Sequence, residues 1–228
     1  MRNIPRLAAV GAVAALAMAL GACSGSPAPP SSPPAGAPAA APTSAAPGPP
    51  AADDGVTTPA EVFGPGCASL PQGDAPGSPA ATAGQPVVAA IATNPQLTTL
   101  VSAIGAVPGL ADALNAQKSI TLFAPSNAAF DQAKATMGDQ AFTRLLADPQ
   151  QLATLLSYYV VPQRYDAAGL VAAGQTTELA GGTVTIGGPA AAPTVTSGDG
   201  TQAAVVCGNL PTANATVFVV DRVLRPAG

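Results

Sequence analysis

Apolar residues recur along this chain at two spacings, and the change from one to the other separates helices from strands. From Gln85 to Thr93, from Asn94-Pro95 through Leu97, Leu100, Val101 and Ile104, and from Pro108 through Leu110 and Leu114, they fall three and four apart. That is the stripe of a helix packed on one side. Thr121, Leu122 and Phe123 then favour a strand, Pro125 stops it, and Ser126 stands where a side-chain oxygen caps a helix carrying Ala129 and Phe130 to about Lys134. Two more helices are predicted, one capped by Asp139 with Phe142, Leu145 and Leu146 inward, one opened by Asp148-Pro149 with Leu152, Leu155 and Leu156 inward. Tyr158 to Val161 reads as a strand, and Asp166 caps a short helix that Gly174 ends.

Beyond Gly174 the period is two. Thr176 to Ala180 and Thr183 to Ile186 flank Gly181-Gly182, a pair suited to a tight hairpin, and Thr194 to Ser197 and Thr201 to Cys207 flank Gly198-Asp199-Gly200. From Ala215 to Leu224 both alternating sets are apolar, which predicts a central strand covered on both faces.

The N-terminal region carries none of this patterning. Arg2 and Arg6 precede an apolar run, Leu7 to Leu20, too short for an ordinary membrane-spanning helix, so residues 1–22 read as an export signal. The signal ends in Leu20-Gly21-Ala22-Cys23, which resembles the lipobox of bacterial lipoproteins and makes Cys23 the expected lipidated N-terminus. Residues 23–60 are rich in Pro and Ala and cannot build a core; a semi-rigid stalk is expected, with its O-glycosylation left open. Residues 61–83 bring back apolar side chains and Cys67 among Gly/Pro turns. In an oxidising compartment, pairing Cys67 with Cys207 is the simplest use of the remaining thiols, with free or intermolecular thiols as the alternative.

Composition narrows the function. The 228 residues contain no histidine, which excludes Ser-His-Asp and Cys-His catalytic sets and every His-based zinc site. Loss of Arg2 and Arg6 with the signal leaves 12 acidic residues against 6 of the 8 basic ones, moving the formal charge from −4 to −6. An acidic chain without a basic stripe argues against nucleic-acid partners. No phosphate loop or metal-ligand spacing occurs, and Asp112, Asp131, Asp139, Asp148, Asp166 and Asp199 read mostly as caps or solvated positions, so neither an enzyme nor a cofactor is expected.

The stretch Thr121 to Phe130 resembles the first signature of the fasciclin domain, with Ser126 in place of that pattern's second Thr. Val217 to Pro226 resembles the second signature, and Leu156-Ser157-Tyr158-Tyr159 resembles the Tyr-His motif between them. The resemblance covers about Gln85 to Pro226. It implies an α+β fold over residues 84–226, a β-sandwich or wedge of about seven strands with several short helices packed on it. Thr121, Phe123, Ala124, Pro125, Ser126, Asn127 and Phe130 are then structural residues, with Asn127 serving backbone groups at a buried bend.

Segments around Cys67 and Cys207 resemble the actinobacterial secreted and lipid-anchored fasciclin antigens, whose pair of cysteines is disulfide-linked. Tyr159 stands where the family motif has His, so the adhesion role of that motif does not transfer intact. Tyr158 and Tyr159 remain candidate contact residues. The expected function is a lipid-anchored adhesion or interaction domain on the extracytoplasmic face of the cell membrane, with a shed form besides. It would bind matrix, host-surface or envelope proteins or glycans as a monomer. The alternative is an envelope carrier of a lipid or other apolar ligand, which needs an enclosed cavity of a few hundred Å³, roughly.

Overall fold

In the computed structural model, which describes residues 54–227, the strand-forming runs assemble into one seven-stranded sheet. The strands are β1 (Ile120–Pro125), β2 (Val160–Val161), β3 (Gln175–Thr177), β4 (Thr183–Gly187), β5 (Thr194–Thr196), β6 (Gln202–Pro211) and β7 (Ala215–Val220). The helices are α1 (Pro79–Thr82), α2 (Val87–Ala92), α3 (Thr98–Gly105), α4 (Leu110–Ala116), α5 (Asn127–Met137), α6 (Asp139–Ala147), α7 (Pro149–Ser157) and α8 (Ala167–Ala173). The fold class is thus α+β, and the order across the sheet is β2-β1-β7-β6-β5-β4-β3. Only β1 and β7 run parallel, in a register that sets Phe123 opposite Phe218. All six residues of β1 and of β7 are buried, as apolar residues on both faces require.

β6 holds the two halves of the sheet together. Its first residues pair with β5 and its later ones with β7, and register shifts between Val205 and Leu210 turn the strand from one half to the other. Asn209 lies in this turn with a positive φ of 55°, a conformation Asn tolerates better than most residues, and its Oδ1 accepts the Ala167 N–H at the start of α8 (2.9 Å). Cys207, in the same bend, is bonded to Cys67, with Cα atoms 5.0 Å apart. Phe63 and Gly208 exchange backbone hydrogen bonds beside it, so the 61–83 segment is fixed to the sheet by covalent and polar links.

The sheet also nearly closes on itself. β2 and β3 are its two ends, yet the Leu179 N–H donates to the Val160 carbonyl at 2.8 Å. This bond explains why the hairpin is wider than Gly181-Gly182 suggests: β3 stops at Thr177, which pairs with Thr183, and residues 178–182 form the loop. Leu179 spends its N–H on β2 instead of β4.

Other boundaries moved for equally local reasons. The stripe that starts at Asn94-Pro95 becomes helical only later: Asn94 Oδ1 accepts the Gln96 N–H in a turn, and α3 begins three residues after Pro95. Asp139 is not a cap either, because Gly138 (φ 83°) takes that place between α5 and α6 and α5 runs on to Met137. Asp148 and Asp166 do cap, accepting from Gln150 and Gln151 and from Gly169. β7 ends at Val220, since the Asp221 carboxylate takes the Ala204 N–H (2.7 Å), although Leu224 is still buried.

Candidate interaction cleft

Thr121, the first signature residue, does more than extend β1. Its hydroxyl donates to the Gln163 carbonyl (2.8 Å) and accepts the Tyr165 N–H (2.8 Å), fixing the chain that leaves β2. Between those two residues Arg164 turns inward and is buried. Its Nε donates to Thr216 Oγ1 (3.0 Å) and its Nη2 to the carbonyls of Thr212 (3.0 Å) and Ala215 (2.9 Å). Thr216 in turn donates to the Gly55 carbonyl (2.7 Å), so the first described residues cover the guanidinium. Burial lowers the Arg164 pKa, and Asp54 opposes that effect.

With Arg164 as anchor, Gln163 and Tyr165 form one wall of a solvent-open cleft of about 400 Å³. The other wall is the edge of β3, Gln175 to Thr177, with Thr183 from β4 beside it. The cleft is where the sheet fails to close: the Leu179–Val160 bond ties one end of the β2–β3 gap and the walls part beyond it. No charged side chain lines it. Thr176 is 6% exposed, and its Oγ1 has no hydrogen-bond partner.

At the tied end lie the two tyrosines expected to form a contact surface, and the structure corrects that expectation. Tyr158 is 0% exposed and Tyr159 1%. Each hydroxyl finds a partner inside: Tyr159 donates to the Leu224 carbonyl (2.9 Å), and Tyr158 accepts the Gly198 N–H (2.8 Å). Burial raises the pKa of both, with Glu178 and Asp199 adding to the effect on Tyr158. They are core residues.

Glu178 escapes a reading of the sequence altogether. It is 2% exposed while its neighbour Leu179 is 47% exposed, the reverse of what hydropathy favours. Strand parity is the signal that finds it, because Thr176 and Glu178 face the same way and Thr176 pairs with buried Val184. Neither carboxylate oxygen has a hydrogen-bond partner, and burial pushes the pKa up to about 7. A β-carbon added at Gly182 would sit 2.9 Å from Glu178 Oε2 and 2.7 Å from the Tyr158 ring, so the loop glycine covers both.

The remaining signature residues build the scaffold. Phe123 packs on Phe218 (centroids 6.1 Å apart) and Phe130 on Phe142 (6.4 Å), while Ala124 and Pro125 are buried in β1. Ser126 Oγ accepts the Ala129 N–H (3.2 Å) as cap of α5. Asn127 joins α5 to α3: its Oδ1 accepts the Thr99 N–H (3.0 Å) and its Nδ2 donates to the Pro95 carbonyl (3.0 Å). Asn214 makes a similar joint, accepting from Val87 N (2.9 Å) and donating to the Leu114 and Gln117 carbonyls (2.9 Å each).

Two other surface hollows are present, about 480 Å³ beside Asn127 and the disulfide and about 150 Å³ between α5 and the C-terminal Arg222 and Arg225. Arg225 is held by Asp199 at 3.2 Å. Between α2 and the sheet the internal space is only about 20 Å³. Among the described residues no three His, Cys, Asp or Glu side chains converge as metal ligands. Cys23 and the greater part of the stalk lie outside the described residues.

The fasciclin domain model matches residues 95–226, more than half of the chain, and the chain belongs to the fasciclin family. It is 37% identical over 182 residues to the immunogenic protein MPB70 of Mycobacterium bovis, covering 75% of this chain and 87% of that protein. It is 38% identical over 192 residues to the cell surface glycolipoprotein MPB83 of the same species, covering 80% and 81%. Among solved structures, the FAS1 domain pair of the insect cell adhesion molecule Fasciclin I aligns with a TM-score of 0.47 at 20% identity, covering 57% of this chain and 45% of that one.

Proposed function

We propose that this protein is a lipid-anchored, surface-displayed interaction domain without enzymatic activity, binding matrix, host-surface or envelope components. The observation that carries the reading is the cleft between β2 and β3, whose wall is held in place by Thr121 and Arg164 and which is lined by uncharged side chains. A preformed polar surface of this kind suits recognition, since little ordering is needed on binding. Likeness to MPB83, a cell surface glycolipoprotein, supports an extracytoplasmic location and an anchor at Cys23. Two or more acyl chains there would hold the protein firmly, each buried methylene adding about 0.8 kcal/mol. The carrier alternative needs an enclosed apolar cavity, whereas the hollows of about 400 and 480 Å³ are open to solvent and the space between α2 and the sheet is only about 20 Å³.

Binding of the full chain to immobilised matrix proteins, envelope polysaccharides and host-cell surfaces tests the interaction, with saturable binding to at least one class expected. Absence of binding to all of them would remove the reading. Intact mass of the membrane-extracted protein tests the anchor: a diacylglyceryl-modified Cys23 as first residue is expected, and an unmodified thiol there would refute it.

A further inference from the structure

We propose that residues 178–182 form a pH-operated latch on the β2–β3 gap, closed while the Glu178 carboxyl holds its proton and released, together with the Leu179–Val160 tie, when that proton is lost. Such a latch does not depend on what the cleft binds. Glu178 starts the loop, and strand parity turns its side chain to the buried side with Thr176 and Val184, while the next N–H, that of Leu179, points to β2. The carboxyl and the tie therefore belong to adjacent residues. Three backbone bonds hold the loop: the Glu178 N–H donates to the Gly182 carbonyl (3.1 Å), the Gly181 N–H to the Glu178 carbonyl (2.9 Å) and the Leu179 N–H to the Val160 carbonyl (2.8 Å).

A carboxylate in this place finds nothing to pair with. Tyr158, at the end of α7, shares the space under Gly182 with it, and Asp199, in the turn between β5 and β6, lies beyond that ring and is already paired with Arg225 at 3.2 Å. The elements packed on β3 add no charge: α8 is uncharged from Ala167 to Ala173, as are β4 from Thr183 to Gly187 and loop residues 179–182. Among the described residues no cation faces the carboxyl, and neither of its oxygens has a hydrogen-bond partner. An ionised, unpaired carboxylate must therefore reach water. The way out is through the loop. Leu179, Ala180 and Gly181 are exposed, and the cover at Gly182 is backbone, since a β-carbon there would meet Glu178 Oε2 at 2.9 Å. Backbone cannot rotate aside as a side chain does. Hydrating the carboxylate thus moves residues 178–182 as a unit and breaks the bonds that hold them, the Leu179 tie included, leaving β2 and β3 unpaired along the whole gap.

Amide hydrogen exchange of the 13C,15N-labelled full chain, disulfide intact, tests the latch between pH 5 and 8, each rate divided by that amide's intrinsic rate at the same pH. With a carboxyl pKa of 4.5 when open and about 7 when closed, opening should become about seventyfold more frequent across that range, and Leu179 protection should fall by the same factor. Leu179 should also exchange faster than Phe123, whose N–H donates to the Tyr159 carbonyl within the sheet, and its rate should not respond to dilute urea, as a local opening requires. In Glu178→Gln, Leu179 protection should be the same at pH 5 and pH 8. Should that variant not fold, the wild type still decides: the rise in Leu179 exchange must level off at the pH where the carboxyl 13C shift shows Glu178 to ionise. Constant Leu179 protection, protection equal to that of Phe123 at every pH, a plateau away from the Glu178 midpoint, or the same fall in Glu178→Gln would each overturn the latch.

Discussion

Replacing Glu178 by Gln should abolish a fall in stability that the wild-type protein undergoes between about pH 4.5 and 7. The carboxyl is 2% exposed, neither oxygen has a partner, and its pKa rises from an ordinary 4.5 to about 7. Since the folded-state value is the higher one, the carboxyl imposes no penalty at pH well below 4.5, where both states are protonated. As pH rises the unfolded chain loses its proton first, and stability declines until the pH passes about 7. A gap of about 2.5 pKa units at about 1.4 kcal/mol each amounts to about 3 kcal/mol. The groups facing Glu178 are the Tyr158 hydroxyl and, beyond it, Asp199, itself paired with Arg225.

Among the described residues, the other carboxylates and tyrosines with shifted pKa values lie outside this window. The chain has no histidine, the pKa values of Asp199 and Glu61 are lowered, and those of Tyr158 and Tyr159 are raised above 10. Asp199 and Glu61 therefore contribute stability lost only on acidification through and below the usual carboxylate range. Urea unfolding of wild type and Glu178→Gln, disulfide intact, at pH 4, 5, 6, 7 and 8 is the assay. The wild type should lose about 3 kcal/mol across the series, and the variant should be nearly flat. The Gln amide is also buried, so the comparison rests on the slope and not on the offset at one pH. Parallel curves for the two proteins would refute the reasoning, by showing that Glu178 finds water or a partner when it ionises.

Removing the Cys67–Cys207 bond by paired serine substitution should cost about 2–5 kcal/mol, near the upper end for a closed loop of 140 residues, read from the urea midpoint at constant slope. Asn214→Ala strips partners from Val87 N and from the Leu114 and Gln117 carbonyls and should cost about 2–4 kcal/mol in the same assay. Arg164→Met should destabilise by about 3 kcal/mol and speed hydrogen exchange at Tyr165, whose N–H bonds to Thr121. Phe123→Ala, in the buried strand against Phe218, should cost about 3–5 kcal/mol by thermal unfolding.

The scaffold was legible because its signals are local or periodic. Ser126, Asp148 and Asp166 act as caps within three residues of themselves, and the doubly apolar Ala215-to-Val220 run can only be a strand between two covered faces. What was hidden depends on contacts between distant segments. Arg164 is a lone cation in sequence, and nothing beside it reveals that Thr212, Ala215 and Thr216 will surround it. The tyrosines misled for the opposite reason: an amphipathic Tyr pair fits a surface, but Leu224 and Gly198, far along the chain, take up both hydroxyls. The cleft exists because Leu179 pairs with Val160 across the ends of the sheet, and no short-range pattern encodes that bond.

Adhesion of cells that display the full chain, measured beside cells displaying the Gln163→Ala, Gln175→Ala double variant, both at exposed positions of the cleft, and cells displaying none, tests the central claim most directly. Display should raise attachment to a surface coated with matrix or envelope components, and the double variant, present at equal surface density, should lose most of that gain. Equal attachment with and without the displayed chain would contradict the account.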